Sequence, residues 1–132
     1  MNPPRRLHDP RDPLRATAHA AARDERALAA CRTLLSALRR ADAERGSDLE
    51  LTLRTYYERG ASVSAAANAL FLHRNSVRYR LDRVRALLGC DIDEPAIAAS
   101  LITAFAVDDE ASAFKERATI GTGSRDAAQR TQ

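Results

Sequence analysis

Residues 62–89 read SVSAAANALFLHRNSVRYRLDRVRALLG, and this stretch decides the fold. A short alanine-rich segment, a tight turn and a longer arginine-rich segment follow one another, which is the order of elements in a helix-turn-helix. In that motif the second helix lies in the major groove of DNA. Between His73 and Leu87 there are five arginines and one acid, Asp82, so the local charge is +4. Since the whole chain carries +3, everything else sums to −1, and such concentrated basicity indicates a polyanionic partner.

Length and composition limit the chain to one small domain with disordered ends. Its 132 residues include six aromatic side chains and no tryptophan, so a core must come mainly from Leu, Val, Ile and Ala. A core of that kind is marginal alone, which favours dimerisation. Twenty of the 21 basic residues are arginine, whose planar fork suits phosphate and guanine. A GC-rich genome would equally explain the overall bias toward Arg and Ala, but not the clustering of arginine in one helix.

Several function classes lack support in the sequence. Cys31 and Cys90 are too few for a disulfide framework, and the first 15 residues contain no apolar run typical of a signal peptide. No stretch approaches the roughly 18 apolar residues of a membrane span. His73 has no Cys or carboxylate at metal-ligand spacing, and no nucleophile–base pair is recognisable. The expectation is a cytoplasmic, reduced, soluble protein that is not an enzyme and uses no cofactor or metal.

The chain is predicted to be all-α, a small helical bundle of four to five helices that contains the helix-turn-helix. Residues 1–23 are expected to form a disordered leader and residues 108–132 a disordered tail, with the helical domain at 24–107. The hydrophobic periodicity predicts helices at 24–44, 48–59, 63–70, 73–88 and 95–106. Ser47 and Glu50 fit a capping box, and Ser62 or Ser64 is expected to cap the short helix of the motif.

A helical wheel divides the arginine-rich helix into a core stripe and an outward surface. The stripe spans about 60° at 3.6 residues per turn and is expected to pack inward; it consists of Val77, Leu81, Val84 and Leu88. Asn75, Tyr79 and Asp82 are expected to point directly away from the core, with the arginines on the two flanks. Phe71 and Leu72 are predicted to act as apolar plugs in the turn before this helix.

Segment 49–95 resembles the C-terminal helix-turn-helix domain of PucR-type and CdaR-type bacterial transcriptional regulators. The likeness is densest at HRNSVRYRL, residues 73–81, and includes LTLRTYYERGASVSAAANAL before it and DIDEP after it. The domain is also similar to the Fis-type helix-turn-helix, which implies DNA binding as a dimer through adjacent helices. Members of the family carry a long sensory portion before this domain, and no effector-binding domain is expected from the residues present here.

The DNA-binding residues are expected at the start of both helices of the motif and along the outward face of the second; they are Ser62, Ser64, His73, Arg74, Asn75, Ser76, Arg78, Tyr79, Arg80 and Arg83. Arg74 suits a bidentate contact with guanine and Asn75 one with adenine, the alternatives being a phosphate contact and helix initiation. His73 is expected to cap its helix or to contact phosphate. The two serines suit N-capping, phosphate binding or both. For Tyr79, Arg80 and Arg83 the alternatives are phosphate contacts and a solvated face.

These observations predict a sequence-specific, DNA-binding transcriptional regulator with helix 73–88 in the major groove. Double-stranded DNA is the expected partner, and a homodimer would read two half-sites, with helices 24–44 and 95–106 as its available surfaces. The alternative is a truncated regulator that acts as a protein-interaction or dimerisation module, pairing with full-length regulators of the same family. Whether the protein forms a stable, DNA-competent homodimer without a larger partner distinguishes the two hypotheses.

Overall fold

The computed structural model describes the backbone of residues 9–129 and the side-chain surroundings of residues 9–120, and this part of the chain is all-α. Six helices and no strand occur within it. The helices are Asp12–Ala21 (α1), Glu25–Arg45 (α2), Leu49–Glu58 (α3), Val63–Leu70 (α4), Arg74–Leu88 (α5) and Pro95–Gln129 (α6). None of the helices in the described range is both long and apolar enough to cross a membrane. The all-α prediction is confirmed, with one helix more than the four to five expected.

One hydrophobic core joins α2 to α6, and it follows the predicted periodicity. On α2 and α3 the core is formed by Leu35, Leu38, Ala41, Leu49, Leu53 and Tyr56. The stripe predicted on α5 packs inward, since Val77, Leu81 and Val84 are buried and Leu88 lies partly buried against them. From the chain after α5 come Ile92, Leu101, Ala104 and Phe105. Burying such side chains contributes about 1.5–3 kcal/mol each before the conformational entropy of ordering is counted.

Helices α4 and α5 form the helix-turn-helix and meet through small side chains. Ala66 and Ala67 of α4 are buried. Because these side chains are small, the backbones of the two helices can approach closely. Phe71 ends α4 in the left-handed conformation (φ 55°) and is 95% exposed. The expected apolar plug is therefore Leu72 alone, which packs against the core, while the left-handed backbone directs Phe71 to solvent.

Helix α1 and the length of α6 depart from the expectation of a disordered leader and tail. Residues 1–8 and 130–132 lie outside the described residues, but α1 occupies residues 12–21 and α6 continues to Gln129. The two helices pack against each other, with Ala18 and Val107 fully buried. His19 and Glu110 are within hydrogen-bond distance at 3.2 Å, and the guanidinium of Arg23 lies over the ring of Phe114. Tertiary packing thus orders segments whose local sequence is weakly periodic.

The predicted capping box between Ser47 and Glu50 is not formed. Instead Asp42, near the end of α2, accepts hydrogen bonds from the backbone N–H groups of Leu49 (2.8 Å) and Glu50 (3.1 Å). The Ser47 hydroxyl donates to the same carboxylate at 2.9 Å. A carboxylate is a stronger acceptor than a hydroxyl at the positive end of a helix, and Asp42 therefore takes the role expected of Ser47. The cap also links the end of α2 to the start of α3.

Candidate nucleic-acid interface

Helix α5 has well-defined ends, which fix where its first turn is presented. Its N-cap is His73, whose ring Nδ1 accepts a hydrogen bond from the backbone N–H of Asn75 at 3.1 Å. Gly89 ends the helix in the left-handed conformation (φ 65°), a conformation in which a Cβ would be strained. The structure thus gives His73 the capping role that was one of its two predicted roles.

No group of three or more metal-ligating side chains occurs among the residues described.

The outward face of α5 is continuous with its exposed N-terminus. The residues with exposed side chains are His73, Arg74, Asn75, Ser76, Arg78, Tyr79 and Asp82. Tyr79 is 64% exposed, a high value for so large a side chain, and it has no ring partner among the described residues. These residues cover the first two and a half turns of the helix. That length corresponds to the part of a recognition helix that reaches base edges and the flanking phosphates.

The five arginines of α5 are not equivalent, although the sequence counts them alike. Within the described part of the chain, Arg74, Arg78 and Arg83 make no hydrogen bond or ion pair with protein. Arg80 donates from Nη1 to the hydroxyl of Thr52 on α3 at 3.3 Å and is half-buried. A hydroxyl does not neutralise a guanidinium, so Arg80 keeps its charge and acquires a fixed position.

Arg85 is held differently, because it lies between two carboxylates. It donates from Nη1 to Asp82 Oδ1 and from Nη2 to Asp93 Oδ2, each at 3.0 Å. Asp93 also accepts a hydrogen bond from the hydroxyl of Tyr56 at 2.6 Å. The Tyr56 hydroxyl, followed by Arg85, holds the pKa of Asp93 below its ordinary value despite partial burial. The charge of Arg85 is therefore compensated within the protein, and the positive charge that α5 presents comes from its other four arginines.

The loop after α5 is anchored to α3 by two tyrosines. Tyr57 donates from its hydroxyl to the backbone carbonyl of Ile92 at 2.7 Å, next to the Tyr56–Asp93 contact. Burial, reinforced by Asp93, raises the pKa of Tyr56 to about 12 and also raises that of Tyr57, so both hydroxyls remain donors. These contacts set the position of the C-terminal end of α5 relative to α3.

The predicted serines lie at the N-terminus of α4. Ser62 is the N-cap, and its hydroxyl accepts a hydrogen bond from the backbone N–H of Ala65 at 3.2 Å. Ser64 is exposed in the first turn. N-capping by Ser62 rather than Ser64 is thereby assigned. Helix N-termini carry free N–H groups and a partial positive charge, so both serines lie where an anion is favoured.

A charged network behind the motif ties α3 to α2 and α6. Arg39 donates to Glu50 at 2.6 Å and to Asp108 at 2.8 Å. Arg54 donates to Asp109 at 2.8 Å, and its guanidinium lies 4.4 Å from the centre of the Phe105 ring. The hydrogen bond to Asp108, reinforced by Glu50, raises the pKa of Arg39 well above its ordinary range. Asp108 and Asp109 of α6 are thus paired with arginines of α2 and α3.

The family comparison agrees with this geometry. Residues 49–107, from α3 into the first half of α6, match the family model of the PucR C-terminal helix-turn-helix domain. The chain is 41% identical over 71 residues to an uncharacterized protein from the pkwA 5′ region of Thermomonospora curvata, covering 54% of this chain and 39% of that protein. It is 42% identical over 53 residues to the uncharacterized protein Rv2242 of Mycobacterium tuberculosis, covering 40% of this chain and 13% of that protein. No solved structure gives a significant match.

Proposed function

We propose that the protein is a sequence-specific transcriptional regulator whose α5 enters the major groove, on the premise that residues 49–107 match the PucR C-terminal helix-turn-helix domain. The observation that carries the proposal is the outward face of α5. There Arg74 and Arg78 are exposed and free of carboxylate partners within the described residues, beside the exposed Asn75. Unpaired arginine forks and an amide at the start of a helix are the groups that read guanine and adenine edges.

The remaining contacts are assigned by position. Ser62 and Ser64, at the N-terminus of α4, contact a phosphate. His73 and Ser76 lie at the N-terminus of α5. Tyr79, Arg80 and Arg83 contact the phosphates on either side of the groove. Phosphate contacts fix the register of the protein on the duplex but carry no sequence information. Base selectivity in this proposal therefore depends on the first two turns of α5.

A homodimer accompanies the proposed function. One helix-turn-helix covers too short a stretch of DNA for useful selectivity, whereas two related by a twofold axis read half-sites one helical turn apart. Helices α2 and α6 offer the surface, since a groove of about 540 Å³ between α2, the C-terminal end of α5 and α6 is lined largely by apolar side chains, among them Leu34, Leu88 and Ile97. Leu34 is 37% exposed there. Sedimentation of the wild type should give twice the mass of one chain, and Leu34→Glu should give the monomer. A monomeric wild type would contradict the dimer.

The experiment that tests DNA reading compares Arg74→Ala with wild type on selected and scrambled duplexes. Loss of a bidentate base contact should weaken binding to the selected duplex by about 5-fold to 100-fold and leave the scrambled duplex nearly unchanged. Arg26→Ala, which removes an exposed arginine from α2, is the matched control and should have little effect on either duplex. An equal loss on both duplexes would reduce Arg74 to a phosphate contact. Absence of binding by the wild type at low salt would refute the proposed function.

A further inference from the structure

The outward face of α5 carries one acidic side chain in the midst of arginines. Asp82 is seven residues after Asn75, so the two lie within about 20° of each other on the helix surface and about 10 Å apart along its axis. The Asp82 side chain is 73% exposed. It is in the middle of the helix, where a carboxylate has no favourable interaction with either helix end. Its position neither caps α5 nor contributes to the core.

The carboxylate of Asp82 is oriented by its contact with Arg85. Its Oδ1 accepts a hydrogen bond from Arg85, the second arm of Arg85 is bound by Asp93, and Asp93 is bound by Tyr56, which is only 5% exposed. This chain of three contacts runs from the buried face of α3 to the outward face of α5. One oxygen of Asp82 is used by Arg85. The structure gives the other oxygen, Oδ2, no partner within the described residues.

This arrangement is electrostatically unfavourable for non-selective binding of a polyanion. Arg85 carries one positive charge and its two carboxylate partners carry two negative charges, so the group has a net charge of −1. Phosphates dominate non-specific affinity, and a negative group on the groove-facing surface opposes it. A carboxylate in the major groove is also unfavourable opposite the acceptor atoms of guanine and thymine. It is favourable opposite the N4 amino group of cytosine, whose major-groove edge offers a donor alone, whereas adenine places its N7 acceptor beside its N6 amino donor.

We propose that Asp82 is a base-reading residue that selects cytosine through its free carboxylate oxygen, with Arg85 as the residue that positions it. The inference rests on the proposed function, because it requires α5 to lie in the major groove. Asp82 lies about 10 Å further along α5 than Asn75, which is about two helical turns. The selected cytosine is therefore at a different base pair from the one contacted by Asn75, and selectivity extends further along α5 than its first two turns.

The test is selection of binding sequences from a random duplex pool by wild type, Asp82→Ala and Asp82→Asn, each as the full chain. Wild type should enrich cytosine at one position, and Asp82→Ala should lose that preference, with the cytosine-to-other-base ratio falling about 5-fold to 100-fold. Asp82→Asn should shift the preference to adenine, since an amide pairs with the adenine edge. Glu44→Gln removes an exposed negative charge from α2 and should leave the selected sequence unchanged. Exposure of Asp82 means that its variants should unfold at the wild-type temperature.

Arg85→Ala tests the positioning role separately. It keeps the carboxylate of Asp82 but releases it, so the cytosine preference at that one position should weaken while preferences set by the first turn of α5 persist. Loss of stability alone would lower binding to all sequences equally and would not alter a base preference. If the three variants at positions 82 and 85 enrich the same sequence as wild type, Asp82 is not a base-reading residue, and the proposed function stands. If wild type enriches no sequence, the proposed function fails as well.

Discussion

Arg83 and Arg85 lie on the same helix, but they should contribute differently to the salt dependence of DNA binding. Arg83 has no carboxylate partner in the described part of the protein, whereas Arg85 is shared between Asp82 and Asp93 at 3.0 Å each. Only an uncompensated arginine displaces counterions from DNA. Arg83→Ala should therefore change the salt dependence of binding, and Arg85→Ala should leave it unchanged.

The size of the effect follows from counting phosphate contacts. With Arg80 and Arg83 on phosphates, one domain should show a slope of log K against log salt of about −1.8, since each contact contributes about −0.9. Raising the salt from about 50 mM to about 200 mM should then weaken wild-type binding about 12-fold. Arg83→Ala should reduce this factor to about 3.5-fold, and Arg85→Ala should retain about 12-fold. Two domains of a dimer bound together square each factor.

Fluorescence anisotropy of a labelled duplex, titrated at several salt concentrations, measures these slopes directly. Arg26→Ala is again the control, because it removes an exposed arginine that lies on α2 and not on α5. A loss of slope for Arg85→Ala as large as that for Arg83→Ala would refute the reasoning that ion pairing inside the protein removes Arg85 from the binding surface. Unchanged slopes for both variants would refute the assignment of Arg83 to a phosphate.

Three further predictions concern stability. Asp42→Ala removes the acceptor of two helix N–H groups and should lower the free energy of unfolding by about 2 kcal/mol in urea titrations. Ser47→Ala should lower it by less than half of that. A larger loss for Ser47→Ala than for Asp42→Ala would indicate that Ser47, and not Asp42, caps α3. Leu81→Ala, in the centre of the core, should lower the free energy of unfolding by about 2–5 kcal/mol. Leu87 is 40% exposed, and Leu87→Ala should lower it by less than about 1 kcal/mol. Equal melting temperatures for the two variants would contradict the packing described. Burial and Asp93 raise the pKa of Tyr56 in the folded protein to about 12, whereas its pKa in the unfolded chain is near 10.0. The stabilisation from protonated Tyr56 is therefore fully present below pH 10 and should be lost as the pH rises toward 12. Tyr56→Phe should reduce this alkaline loss of stability, and an unchanged loss would assign it to other groups.

The sequence predicted the elements whose stabilising contacts are local. Helices α2 to α5 begin and end within about two residues of their predicted bounds, because Gly46, Ser62 and Gly89 terminate or cap them through neighbouring residues. The capping of α3 escaped prediction since its acceptor, Asp42, lies on the preceding helix. Helix α1 escaped prediction because an alanine, Ala18, makes its fully buried contact with α6.

The candidate interface shows the same division. Asn75, Tyr79 and Asp82, which were expected to point directly away from the core, are exposed, since exposure follows from helical periodicity and the position of the core stripe. Which arginines keep their charge available does not follow from periodicity. Arg80 is fixed by Thr52, which is 28 residues away, and Arg85 by Asp93 in the next loop. Base and phosphate contacts remain predictions, and the experiments above address them individually.

Helix α6 imposes an angular register on the molecule. Its first turns supply Leu101 and Phe105 to the core of the helix-turn-helix, and its next turns present Val107 and Glu110 to α1. Because each residue advances a helix by about 100°, a single insertion between Phe105 and Val107 would rotate the α1-binding face a quarter-turn or more away from α1. An insertion of seven residues, close to two full turns, would restore the angle while moving the face about 10 Å along the axis. Changes of length in this segment are therefore restricted to near-multiples of the helical repeat as long as α1 remains packed on α6.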